Sequence, residues 1–139
     1  MIMRKPQPSE HTEWFIKKQV RKILGDTGWK YWMPSSNLFG QSGVSDFLCV
    51  KSPGLFMAIE TKYDSAVTSL QFKFLTEVHA AGHSAFLVDE TNVDVLREVL
   101  MAAPRLMHTH PKYHLLNKWR DQNTIPYDIS ITGTLTPDL

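Results

Sequence analysis

The sequence predicts an α/β domain: a mixed β-sheet flanked by helices, in the order helix, three strands, helix, strand, helix. Apolar residues recur at helical spacing in three separate stretches. Four short apolar runs, bounded by Gly, Pro and Ser, read as strands. Two of those runs are joined by the tight turn Ser52-Pro53-Gly54, so at least one strand pair is a hairpin.

The elements follow in order. Met1 to Ser9 contains Pro6 and Pro8 and reads as an entry arm. A helix is predicted from about Glu10 to Leu24, with Ile16, Val20, Ile23 and Leu24 on its apolar stripe and Ser9 or Thr12 as cap. Gly25 is expected to end it. Trp29 to Met33, stopped by Pro34, is the first strand. Ser35 to Gly43 is a loop with two glycines, followed by strands Val44–Val50 and Leu55–Thr61. A second helix is expected over Thr68–Ala81, with Val67, Leu70, Gln71, Phe74, Leu75 and Val78 on its inward stripe and Gly82 beyond it. Ser84–Val88 is the fourth strand. Asn92–Ala102 is the third helix, with Val93, Leu96, Val99 and Leu100 on one face and Pro104 past its end. These elements make a core of residues 1–103. Residues 104–139 read as a C-terminal extension, with a short helix near Tyr113–Asp121 and an irregular tail, available for dimerisation or DNA contact.

The chain has 139 residues, enough for one domain with its own core, and its 42% hydrophobic content is ordinary for such a domain. No apolar run approaches the roughly 20 residues that span a bilayer, so no membrane partner is expected. The first ten residues lack the apolar stretch of a signal peptide. Cys49 cannot form an internal disulfide and reads as a small buried residue. A cytoplasmic setting, bacterial or in a phage-infected host, is the expectation. The net charge of +1 does not fit a protein that simply coats nucleic acid. It does not exclude a nuclease, whose acidic metal ligands offset its basic phosphate contacts.

The residues that suggest chemistry begin with Glu60 and Lys62, which follow five mostly apolar positions. Residues two apart on a strand share a face, so both point the same way from the end of a buried strand. A carboxylate there suits Mg²⁺, and a neighbouring ammonium can hold an attacking water or neutralise a phosphate. By itself the pair reads equally well as a solvated ion pair. Asp46, at the start of the neighbouring strand, can lie near Glu60 in a hairpin. Two carboxylates that converge repel one another unless a cation sits between them. Two further polar residues interrupt apolar helix stripes: Glu13 on the first helix and Gln71 on the second.

Taken in order, Glu13, Gly43-Val44-Ser45-Asp46, Glu60-Thr61-Lys62 and Gln71 resemble the PD-(D/E)XK nuclease superfamily, and more closely its VRR-NUC family. That family carries a helix glutamate, G-x-P-D, E-x-K and a glutamine on the next helix. The resemblance covers about Glu10 to Asp89. It implies a restriction-endonuclease-like core and a Mg²⁺- or Mn²⁺-dependent endonuclease acting on DNA, with branched or Holliday-junction-like DNA as the first substrate to consider. It further implies that Asp46 and Glu60 bind the ion with the Thr61 carbonyl, and that Lys62 positions or activates the water. Glu13 would support the metal directly or through water, and Gln71 would orient Lys62 or the nucleophile. Ser45 stands where the family has proline, which predicts a more flexible turn with the chemistry retained.

Lys17, Lys18, Arg21, Ser42, Lys51 and Lys73 are the candidates for DNA contact, with an ordinary solvated face as the alternative for the helix lysines. His108, His110 and His114 have no cysteine or finger spacing to support a zinc reading. Tyr113 and Trp119 are read as packing or subunit contacts ahead of base stacking. A homodimer would let one small subunit cut both strands of a duplex. The competing functions are a nucleic-acid-binding module of the same fold without activity, and a non-nuclease α/β protein in which Glu60 and Lys62 are a surface pair.

Overall fold

The computed structural model describes residues 12–34 and 43–122. Within them the chain forms α1 (Glu13–Asp26), β1 (Lys30–Trp32), β2 (Phe47–Lys51), β3 (Leu55–Thr61), α2 (Ser69–Ala80), β4 (Ser84–Val88), α3 (Val93–Leu100) and α4 (Tyr113–Leu116). Short 3₁₀ turns lie at Pro104–Thr109 and Lys118–Gln122. The strands make one sheet in the order β1-β2-β3-β4. The first three are antiparallel neighbours, while β4 runs parallel to β3. A parallel neighbour needs a crossover, and α2 supplies it. The expected mixed sheet flanked by helices is therefore present.

Strand alternation divides the core into two layers. Phe47 and Cys49 of β2, Met57 and Ile59 of β3, and Phe86 and Val88 of β4 join the apolar stripes of α1 and α3 in one cluster. Ala58, Ala85 and Leu87 face the other way and pack with Val67, Leu75 and Val78 of α2 and with Trp119. Leu70 fits the inward stripe of α2 by spacing, but it is 53% exposed; the buried face of the helix is formed by Leu75 and Val78.

Gly25 does not end α1. The helix continues to Asp26, and Gly28 makes the reversal at φ +84°, where a side chain would be strained. The Gly28 amide donates to the Gly25 carbonyl and the Trp29 amide to the Leu24 carbonyl, the paired bonds of a Schellman ending. Thr12 occupies the N-cap position of α1, though its side chain makes no capping bond. The alternative cap Ser9, the expected helix start at Glu10, most of the loop from Ser35, and the tail past Gln122 lie outside the described residues.

The boundary placed after residue 103 does not mark a break in packing. Met107 and Leu116 belong to the α1–α3 layer, and Trp119 is buried in the α2 layer. The Trp119 indole N–H donates to the Ala85 carbonyl at 2.7 Å, and the Asn92 amide donates to the carbonyls of Leu87 and Leu115. Up to Gln122 this segment closes the core and is not an appendage. No helix among the described residues is long and apolar enough to cross a membrane.

Candidate active site

The β2–β3 register pairs Phe47 with Ile59, and one step further along it brings Asp46 opposite Glu60. The ladder itself stops at Phe47, so the Thr61 amide has no β2 carbonyl to bond. The Asp46 carboxylate replaces that carbonyl. Its Oδ2 accepts the Thr61 N–H at 2.9 Å and the Thr61 hydroxyl at 2.6 Å. The aspartate is thereby fixed to the strand that carries Glu60. The site sits at the carboxyl ends of β3 and β4, the end at which open sheets with parallel strands bind ligands.

Glu60 is 1% exposed. Burial, and then the Asp46 carboxylate beside it, push its pKa up to about 9, against the opposing pull of Lys62. Glu13 adds to the upward push, and the Asp46 carboxyl is also a hydrogen-bonding neighbour. Glu60 Oε1 is buried and has no hydrogen-bond partner among the described residues. Leaving such an oxygen unsatisfied costs about 1–3 kcal/mol, and the oxygen favours any cation that reaches it. Lys62 is half-buried, and its side chain makes no hydrogen bond or ion pair among the described residues. Its backbone N–H extends the β4 ladder by donating to Val88 at 3.0 Å.

Glu13 starts α1 and faces the same cluster, but an ammonium separates it from the strand acids. Lys17 Nζ lies 3.5 Å from Glu13 Oε2 and 3.7 Å from Asp46 Oδ1. Lys17 therefore belongs to the acid cluster and not to the solvated stripe of Lys18 and Lys22. Its spacing of four residues from Glu13 was the available signal, because such pairs share a helix face. The side-chain hydroxyl of Thr61 also holds Asp46, a role the resemblance does not imply, since it points only to the Thr61 carbonyl.

Gln71 makes no hydrogen bond to Lys62. Its side-chain oxygen accepts the Thr68 N–H at 2.9 Å while the Thr68 hydroxyl accepts the Gln71 N–H at 3.2 Å. This reciprocal capping box at the start of α2 gives the glutamine a structural role, and Thr68-x-x-Gln71 was its signature in the sequence. Gly43, at φ +85°, lies directly against that helix start. A Cβ there would come within 2.6 Å of the Leu70 carbonyl oxygen, so a side chain would force α2 away from the Asp46 strand. Ser45 is 1% exposed, and its hydroxyl is unpartnered among the described residues.

The remaining expected DNA contacts divide. Lys51 lies at the far end of β2, about 17 Å along the strand from Asp46 at ordinary strand rise. There its ammonium donates to the Thr27 carbonyl at 2.7 Å and stands near the Trp29 ring. Its closeness to the site in sequence is undone by the direction of the strand. Lys73 pairs with Glu77 at 2.8 Å on the exposed face of α2, and Arg21 donates to the Tyr31 hydroxyl. Lys18 is exposed. Ser42 lies outside the described residues. Among the histidines, His110 faces Glu98 at 3.5 Å. Tyr113 is engaged with the Ser84 hydroxyl and the Phe86 ring.

Comparison of the chain with models of known protein families, with curated proteins and with solved structures finds no significant match. The family resemblance therefore rests on the residue pattern alone.

Among the described residues, no three His, Cys, Asp or Glu side chains form a group able to hold a metal. Lys17 lies between Glu13 and Asp46, 3.5 Å from the first carboxylate and 3.7 Å from the second. Two carboxylates with a backbone carbonyl nevertheless suit Mg²⁺, which keeps several waters and needs only one or two protein carboxylates. The unpartnered Glu60 oxygen is what such an ion would satisfy.

Proposed function

We propose that this chain is a divalent-metal-dependent endonuclease of the PD-(D/E)XK type, similar to the VRR-NUC family, which hydrolyses phosphodiester bonds in DNA. The observation that carries the reading is a buried carboxyl oxygen on Glu60 that has no hydrogen-bond partner among the described residues, set opposite Asp46 and beside Lys62. A protein leaves a carboxyl group in that state at a cost, and such costs concentrate at functional sites. A solvated surface pair of Glu60 and Lys62 is incompatible with a glutamate that is 1% exposed.

In this reading Asp46 and Glu60 hold Mg²⁺ or Mn²⁺, with the Thr61 carbonyl completing the protein's share. The bound ion would supply Lewis acidity toward the phosphoryl oxygens and a water of lowered pKa. The chain's own groups do the rest. Thr61 fixes Asp46 through two hydrogen bonds, so the carboxylate does not have to be oriented at the moment of reaction. Among the described residues Lys62 has no ion pair to compete for it, and in this reading it positions the attacking water or offsets charge on the phosphate. The capping box and Gly43 seat α2 against the strand edge that carries the acids.

The test is a cleavage assay on linear, flapped and four-way DNA with Mg²⁺, with Mn²⁺ and with EDTA. Strand scission that needs the divalent ion, and is greatest on the branched substrates, supports the reading. DNA binding without scission under every condition would favour the inactive binding module instead.

A further inference from the structure

Lys17 does something that the nuclease reading does not require of it. It was expected on a phosphate-binding stripe, yet its ammonium lies 3.5 Å from Glu13 Oε2 and 3.7 Å from Asp46 Oδ1, with the side chain only 25% exposed. Lys22, five residues further along the same helix, keeps a side chain 72% exposed and pairs with Asp26. The contrast singles out Lys17 as the α1 cation turned toward the acids. Asp46 Oδ2 is already committed to Thr61, so Oδ1 is the oxygen left for a cation, and Lys17 stands beside it. Glu60 Oε1, buried in the same cluster, has no hydrogen-bond partner among the described residues.

We propose that Lys17 is the resident counter-cation of this cluster: it occupies the ground between Glu13 and Asp46 that a divalent ion must take, and so sets how weakly the site holds that ion. The inference rests on the metal reading given above. The physical reason is charge exclusion. An ammonium and a divalent ion competing for one carboxylate oxygen repel strongly where water screens them poorly. Entry of the ion must push the ammonium outward, and an ammonium at the rim of such a site is then placed to meet a DNA phosphate. Lys17 is thus a positioning residue that trades metal affinity for an ion-free cluster which is partly neutralised.

The experiment is calorimetric titration of the full chain with Mn²⁺ alone, without DNA, at low ionic strength. Lys17→Met keeps the aliphatic stem and removes the charge, and it should bind Mn²⁺ about tenfold more tightly than the parent. Lys17→Arg, which keeps the charge, should bind like the parent. Lys112→Met, which removes a positive charge that pairs with Glu98, should also bind like the parent. Lys17→Gln serves as a second neutral variant if circular dichroism shows that the methionine variant is unfolded. Equal or weaker Mn²⁺ binding by folded neutral variants would overturn the role given to Lys17 and leave the metal site standing. Absence of Mn²⁺ binding by parent and variants alike at millimolar ion would instead remove the metal reading, and this inference with it.

Discussion

Asp46 is bound to Thr61 twice, through the backbone amide at 2.9 Å and the hydroxyl at 2.6 Å. A carboxylate at the end of one strand thus completes the hydrogen-bond ladder of the next. Thr61→Val removes the hydroxyl bond and keeps the shape. It should cost about 1 kcal/mol in chemical denaturation. Cleavage should fall about tenfold, because Asp46 is then held by the amide bond alone and its orientation loosens. Asp46→Asn should lower cleavage by at least about 100-fold, since it removes a proposed ligand as well. Equal activity in the parent and Thr61→Val would show that the hydroxyl is structural only.

Glu60 makes metal-free stability depend on pH in a definite direction. Burial, followed by Asp46, raises its folded pKa to about 9, from an ordinary value of 4.5. Below the ordinary value the group is protonated both folded and unfolded and contributes no slope. Between the two values the folded chain keeps a proton that the unfolded chain releases, so stability falls as pH rises through this window. The difference in unfolding free energy between parent and Glu60→Gln isolates the effect. The variant should gain stability relative to the parent as pH increases, by about 1–3 kcal/mol at pH 8. Mn²⁺ binding by the parent should strengthen over the same window, because a ligating carboxylate must lose its proton. A pH-independent difference would contradict the buried, protonated glutamate.

Gln71 separates a capping role from a catalytic one. Gln71→Glu retains a side-chain acceptor for the Thr68 amide and should keep both fold and cleavage near parental levels. Gln71→Ala should destabilise α2 by about 0.5–2 kcal/mol, read by thermal unfolding, with cleavage lowered only a few-fold. A loss of cleavage in Gln71→Glu without any loss of stability would restore the role of orienting Lys62.

The layers of the fold were legible because burial follows the simplest periodicities. Ile16, Val20, Ile23 and Leu24 mark α1 at helical spacing, and the alternation of β2 and β3 sorts Phe47 and Ile59 from Ala58. The juxtaposition of Asp46 and Glu60 was also within reach, because a short turn between two strands dictates which ends meet. Lys17 and Lys51 were misplaced for opposite reasons. The helix lysines look alike in one dimension, and only the packing of α1 on the face of the sheet brings Lys17 to Asp46. Lys51 is close to Asp46 in sequence, but an extended strand carries it to the other end of the sheet. The segment after residue 103 looked peripheral because its apolar residues lack a regular period. It enters the core through individual side chains, Met107, Leu116 and Trp119, on 3₁₀ turns and one short helix.

That segment should be required for folding. Trp119 is 1% exposed and bonds Ala85, so Trp119→Ala should cost about 3–5 kcal/mol. Lys118 donates to Asp89 Oδ2 at 2.8 Å. Burial pushes the Asp89 carboxyl up, but Lys118 and Thr91 together outweigh it and hold it below its ordinary range. Its stabilising contribution is therefore present above the unfolded pKa and is lost as pH falls through the folded one. Lys118→Met, which leaves the two Thr91 bonds in place, should weaken that acid-side dependence and lower stability by about 1–3 kcal/mol at neutral pH, measured by denaturant titration. A chain truncated after residue 103 that still unfolds cooperatively would contradict this role.

The most direct test of the nuclease account is single-turnover cleavage of four-way DNA in Mn²⁺ by the parent and by Lys62→Ala, with thermal unfolding of both proteins measured alongside. The account predicts metal-dependent scission by the parent, a fall of at least about 100-fold in the variant, and melting temperatures within about 2 °C of each other. Equal cutting by the two proteins, or no scission by the folded parent on any DNA structure, would contradict it.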